Sequence, residues 1–261
     1  MAAEGILQVQ NLTKRYGGLM AVNDVSFNLM EREILSVIGP NGAGKSTLFK
    51  LIASFVKPTA GKVTFEGAVI SGRAPHLVAR RGVVRTFQEA TIFKGLSVRD
   101  NVIVAHHLRS HANLIGFYLG SARARTDETE FAKSADEILD FLGLSSLRDE
   151  QASSLPQGHL RALGIAIGLA TNPKVLLLDE PFAGMNHDET MHAVDLVRGV
   201  RERGVTVMLV EHDMPAVMKI SDRIVALNFG QKIAEGTPAE IQSNEKVIEA
   251  YLGVEDETIG M

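Results

Sequence analysis

The segment Ile34-Leu35-Ser36-Val37-Ile38 runs directly into Gly39-Pro40-Asn41-Gly42-Ala43-Gly44-Lys45-Ser46, and Leu48 to Phe55 then reads as a helix. A short apolar strand, a glycine-rich turn and a helix in immediate succession point to an α/β unit. The turn matches G-x-x-x-x-G-K-[ST], the pattern of a phosphate-binding loop. Glycines let its backbone amides turn inward toward phosphate oxygens, and the following helix aims its positive end at the same anion. Lys45 would reach the β- and γ-phosphates, and the Ser46 hydroxyl would hold Mg²⁺. A glycine-rich turn can match by chance, but the strand before it and the helix after it supply the required context. Gly39, Pro40, Asn41, Gly42, Ala43, Gly44, Lys45, Ser46 and Thr47 are the candidate nucleotide-binding residues.

A second apolar strand, Val175-Leu176-Leu177-Leu178, ends in Asp179-Glu180. The carboxyl end of a parallel strand faces the ligand crevice. Asp179 there can hold Mg²⁺ through water, and Glu180 can polarise the water that attacks a γ-phosphate. Taken alone, the acids would be a helix cap after a strand. Combined with the phosphate loop, they specify an ATP or GTP hydrolase.

The remaining chain alternates in the same way. Val25–Leu29 reads as a strand, and Val63–Phe65 and Ala68–Ile70, split by Gly67, as a hairpin. From about Ser97 to Leu144 the pattern is mainly helical, with Phe131, Ala135, Ile138, Leu139 and Leu142 at helix spacing and Gly143 as a cap. His106 to Thr126 shows no clean period. Ala193, Val194, Val197 and Val200 mark a helix closed by Gly204, and Val205–Val210 and Ile224–Leu227 read as buried strands. The expectation is one domain, residues 1–261, with a core of 1–88 and 170–261 and a helical insertion over 89–169.

Composition excludes several classes. Hydrophobic residues at 45% and charged residues at 22% suit a chain that buries a core rather than a disordered one. A net charge of −4 offers no basic excess for nucleic acid. With no cysteine, disulfides and thiolate chemistry are out. The longest uncharged apolar run, Ala162 to Ala170, falls short of the about 20 residues of a spanning helix. The start, Met1-Ala2-Ala3-Glu4-Gly5, does not read as a secretory signal. Work at a membrane would go through a partner.

The order of motifs along nearly the whole chain resembles the ATP-binding subunit of ABC transporters. That resemblance implies a P-loop NTPase (RecA-like) core with an antiparallel β subdomain and an inserted helical subdomain. It implies that Tyr16, expected to precede the first strand region, stacks on adenine, and that the nucleotide is ATP. Gln88, in Arg85-Thr86-Phe87-Gln88, matches the glutamine loop that touches Mg²⁺ and the attacking water. Ala183-Gly184-Met185-Asn186 looks like the loop that crosses to a dimer partner, and His212, in Glu211-His212-Asp213, like the switch histidine at the γ-phosphate. The spacing of the other histidines suggests no metal site. The family works as a dimer, each ATP lying between one phosphate loop and the partner's signature segment.

The signature segment departs from the family pattern Leu-Ser-Gly-Gly-Gln. Here it is Leu155-Pro156-Gln157-Gly158-His159, followed by an expected helix over Leu160–Ala170. Pro156 removes a hydroxyl and an N–H, which puts hydrolysis at the partner's site in question.

The runs Ala79–Gln88 and Leu96–Val102, the segment from about His106 to Lys133 and the ending Val247–Gly253 resemble importers of branched-chain or other hydrophobic amino acids. The resemblance implies two permease subunits, a second ATP-binding subunit, an indirectly coupled extracytoplasmic solute-binding protein, and a location on the cytoplasmic face of the inner membrane. The alternatives are the ATPase of a lipid or lipopolysaccharide transporter, a soluble ABC protein of DNA repair or translation, and a weakly hydrolysing structural subunit of a heterodimer.

Overall fold

The computed structural model describes residues 5–86, 92–109 and 122–252. Its strands are β1 (Leu7–Tyr16), β2 (Leu19–Leu29), β3 (Ile34–Ile38), β4 (Ala60–Phe65), β5 (Ala68–Val69), β6 (Val83–Arg85), β7 (Val175–Asp179), β8 (Thr206–Val210), β9 (Arg223–Asn228) and β10 (Gln231–Gly236). The α-helices are α1 (Lys45–Ile52), α2 (Pro75–Arg80), α3 (Val98–His106), α4 (Ala122–Phe141), α5 (Gln157–Ala170), α6 (His187–Glu202), α7 (Met214–Ile220), α8 (Pro238–Gln242) and α9 (Glu245–Leu252).

Two sheets organise the chain. The larger has the order β10-β9-β3-β8-β7-β6 and is parallel except for β10. Its central strands β3, β7 and β8 are almost wholly apolar because both faces are covered. Successive side chains alternate between faces. Val175, Leu177, Met208 and Val210 pack with α1 and the second sheet, while Leu176, Leu178, Val207 and Leu209 pack with the helices opposite. The second sheet is antiparallel, order β2-β1-β4-β5, and α1 is held between the two sheets by Leu48, Phe49, Leu51 and Ile52.

Three differences from the sequence reading are physical. Strand β1 was not anticipated, and Tyr16 ends it rather than preceding the first strand region. Its Gln8, Gln10 and Asn11 look polar as a run, yet Leu7, Val9 and Leu12 alternate into the core. Helix α1 begins at Lys45, so the loop's lysine and serine already belong to its first turn, and it ends at Ile52 before the half-exposed Phe55. Helix α5 begins at Gln157 with Pro156 as N-cap, not at Leu160. A proline is tolerated there because the first turn has no intrahelical use for its missing N–H.

Helices α3, α4 and α5 lie between β6 and β7 in the chain. Phe131, Ala135, Ile138, Leu139 and Leu142 are buried as their spacing predicts, and Gly143 closes α4 at φ 70°. Residues 110–121, the greater part of the stretch without a clean period, lie outside the described residues. Among the described residues no helix is long and apolar enough to cross a membrane.

Candidate active site

Sheet order and register assemble the site. Strands β3, β8 and β7 are neighbours, Val37 pairs with Val210, and Val210 pairs with Asp179. The three strands therefore end level at the carboxyl edge. The phosphate loop, Glu211-His212 and Glu180 leave that edge side by side. They meet in a cleft of about 400 Å³ walled by Asn41 to Thr47, Glu180, His212 and four apolar residues, Leu19, Met20, Ala21 and Phe229.

Lys45, 6% exposed, donates from Nζ to the carbonyls of Gly39 (2.6 Å) and Pro40 (3.0 Å). Burial pushes its pKa down, and the charges of Glu180 and Asp179 partly oppose that. Gly44 caps α1 at φ 99°, where L side chains are strained, and a Cβ there would stand 2.4 Å from the Ala21 carbonyl oxygen. The hairpin between β9 and β10 braces the loop, since the Gly230 amide donates to Ala43 O (3.1 Å) and Gly230 O accepts from the Asn23 amide (2.7 Å).

Glu180 adopts φ 50°, an uncommon backbone for a non-glycine residue. Its amide donates to Val210 O (2.9 Å), which ties the end of β7 to β8. This sharp turn brings Glu180 Oε1 to 2.9 Å from His212 Nε2. Asp179 points elsewhere: its carboxylate receives the Arg85 guanidinium at 2.5 Å, both side chains being nearly buried.

Sequence reasoning passed over Glu211, which structural context makes prominent. It is 3% exposed and accepts from the amides of Phe182 (2.7 Å) and His212 (3.0 Å). One carboxylate thus joins the turn after Glu180 to the loop carrying His212. Burial pushes its pKa up, while the amides of Phe182, His212 and Asp213 favour the charged form. A glutamine would present an NH₂ to one of those amides. Glu211→Gln is therefore expected to lower steady-state turnover roughly tenfold with little change in ATP affinity, the loss of one charge-assisted bond. Acid should act in the same direction, because the raised pKa makes Glu211 take a proton before an ordinary glutamate does. The acid limb of the pH profile should flatten in the variant. Turnover equal to wild type would show that the two loops hold without this bond.

The other sequence candidates are distributed. Tyr16 is 45% exposed at the rim, with Lys14 Nζ 4.8 Å from its ring centre, and its cross-strand partner Leu19 lines the cleft. Gln88 lies outside the described residues. Leu155, Pro156, Gln157, Gly158 and His159 do not line the cleft; Pro156, Gly158 and His159 face Met185 and Glu189 across a separate cavity of about 250 Å³. Asn186 caps α6 through a reciprocal pair of bonds with Glu189 (2.9 and 3.0 Å). Leu19, Met20 and Phe229 were not legible as wall residues, since their approach to the loop depends on pairing between strands.

Residues 22–183 match the family model described as ABC transporter, and residues 231–257 match that described as branched-chain amino acid ATP-binding cassette transporter. The chain is 43% identical over 249 residues to the high-affinity branched-chain amino acid transport ATP-binding protein BraF of Pseudomonas aeruginosa, covering 95% of this chain and 98% of that protein. It is 36% identical to the lipopolysaccharide export system ATP-binding protein LptB of Escherichia coli, over 95% of this chain and 97% of that one. A crystal structure of a nucleotide-free ATP-binding cassette from an ABC transporter superposes with a TM-score of 0.83 at 32% identity, covering 94% of this chain and 98% of the other.

Proposed function

We infer that this chain, which belongs to the ABC transporter ATP-binding family, is the ATPase subunit that powers an importer of branched-chain or other hydrophobic amino acids. The observation that carries the reading is the cleft in which Lys45 and Ser46 face Glu180 and His212 at level strand ends. The import substrate rests on the likeness to BraF and on the C-terminal family match.

In this reading the amides of Gly42 to Thr47 and the start of α1 take the β- and γ-phosphates of ATP, and Lys45 leaves the loop carbonyls to pair with them. Tyr16 stacks on the adenine. Ser46 would offer Mg²⁺ a hard oxygen donor directly; Asp179, which Arg85 engages here, would reach the ion through water on leaving that ion pair, and Gln88 would be a further contact. Mg²⁺ held there would supply positive charge against that of the phosphates. Glu180 orients the attacking water and takes its proton, and His212 holds Glu180 from the side of the γ-phosphate. Leu155–His159, outside this cleft, serve the ATP on a second ATP-binding subunit. The amides at the start of α5 still offer an anion site there, although Pro156 supplies neither a hydroxyl nor an N–H. Two permeases anchor the pair at the cytoplasmic face of the inner membrane, and a solute-binding protein delivers cargo from the other side. The chain itself never touches the amino acid.

Purification of the tagged chain from its native membranes with ATP present tests this reading. Two polytopic permeases, a second ATP-binding subunit and ATP-driven leucine uptake after reconstitution are the expected result. Recovery of lipid-export permeases instead, without amino acid uptake, would overturn the substrate class.

A further inference from the structure

The peptide that opens the phosphate loop is held from the far end of the chain. Gly39 lies just past the last β3–β9 pair, Ile38 with Ala226, so its amide has no strand partner. That amide donates to the hydroxyl of Tyr251, in α9, at 2.9 Å, across 212 residues of sequence. The Gly39 carbonyl accepts Lys45 Nζ at 2.6 Å. One residue thus links the loop's ammonium to the C-terminal helix. Gly39 has no side chain to anchor it, and none would fit: at φ 148° a Cβ would stand 2.2 Å from the Leu227 carbonyl oxygen. Its orientation must be held through the main chain. The Tyr251 ring is fixed by a cluster containing Ile38, Val217, Ile241 and Val247 together with Met214, the first residue of the helix that follows His212. Burial keeps the phenol protonated well into the alkaline range.

We propose that Tyr251 is a positioning residue for the nucleotide site, its hydroxyl fixing the Gly39 peptide so that the C-terminal helix sets the affinity of the phosphate loop for ATP. This rests on the reading that the loop takes ATP. Tyr251 does not line the cleft. It acts by preventing the Gly39 peptide from rotating, which keeps the carbonyls of Gly39 and Pro40 and the amides beyond them in register with the start of α1. Such preorganisation is spent on binding, so it appears in affinity rather than in the chemical step.

Tyr251→Phe keeps the ring and removes only the hydrogen bond. In the full chain, ATP affinity is expected to weaken roughly three- to tenfold, the range of one intramolecular hydrogen bond. In the assembled transporter, KM for ATP should rise by the same factor with kcat within about twofold. Ile248→Ala, in the same helix but 43% exposed and outside that cluster, is the control; it should leave KM unchanged. A KM within twofold of wild type in Tyr251→Phe would overturn the proposal, as would an equal rise in Ile248→Ala. Failure of the wild-type chain to bind ATP would instead sink the parent reading, and this one with it.

Discussion

Glu180→Gln is expected to lower ATP turnover in the assembled complex by roughly 10²-fold or more, the contribution of a positioned general base, while ATP binding persists. Glutamine keeps the size of the side chain, and the left-handed turn at φ 50° constrains it alike. What goes is the carboxylate that can take a proton from water, together with its charge 2.9 Å from His212 Nε2. The substitution also removes a negative charge that faces Lys45. That change favours a bound triphosphate, so the variant should hold ATP at least as well as wild type. Turnover within a few-fold of wild type, measured beside labelled-ATP binding, would take the catalytic role from Glu180.

Gly44→Ala is expected to abolish measurable nucleotide binding. Two costs coincide there. The backbone at φ 99° is strained for any L side chain, at about 1–3 kcal/mol. The new methyl would also stand 2.4 Å from a carbonyl oxygen of β2, which cannot rotate away as a flexible side chain would. Either the loop or β2 must move. Moving the loop disperses the amides at the start of α1. Gly67→Ala is the matching control, since φ there is 74° and nothing lies within 4 Å of an added Cβ. It should lower the Tm by a few degrees, at roughly 2–4 °C per kcal/mol, and leave ATP affinity intact. Equal ATP affinity in Gly44→Ala and wild type would refute the requirement for close backbone approach.

Local pattern carried much of the architecture. The apolar runs at Ile34–Ile38 and Val175–Leu178 are the strands β3 and β7, and the spacing of Phe131 to Leu142 marks the buried face of α4. Period and composition reach such elements because a strand buried on both faces has no polar alternative. Strand β1 escaped because bulges interrupt its alternation near Asn11, and β10 because its residues are largely exposed. At the site, Lys45 and Ser46 were picked out by the phosphate-loop motif, Glu180 by its place after a buried strand and His212 by the family resemblance, and the fold gathers these four into one cleft. Phe229, 85% exposed in an ordinary hairpin turn, carried no such signal.

The sequence by itself determined that the chain is α/β, where its phosphate loop sits, and which acids follow a buried strand. These follow from residues adjacent in the chain, whose sterics and periodicity act locally. Tertiary structure alone decided that β8 separates β3 from β7, which sets His212 beside Glu180. It likewise decided that Arg85 engages Asp179, that Glu211 joins two loops, and that Tyr251 reaches Gly39. Each of these joins side chains to groups far apart in the chain. Strand order and register choose those pairs, and no local period encodes them.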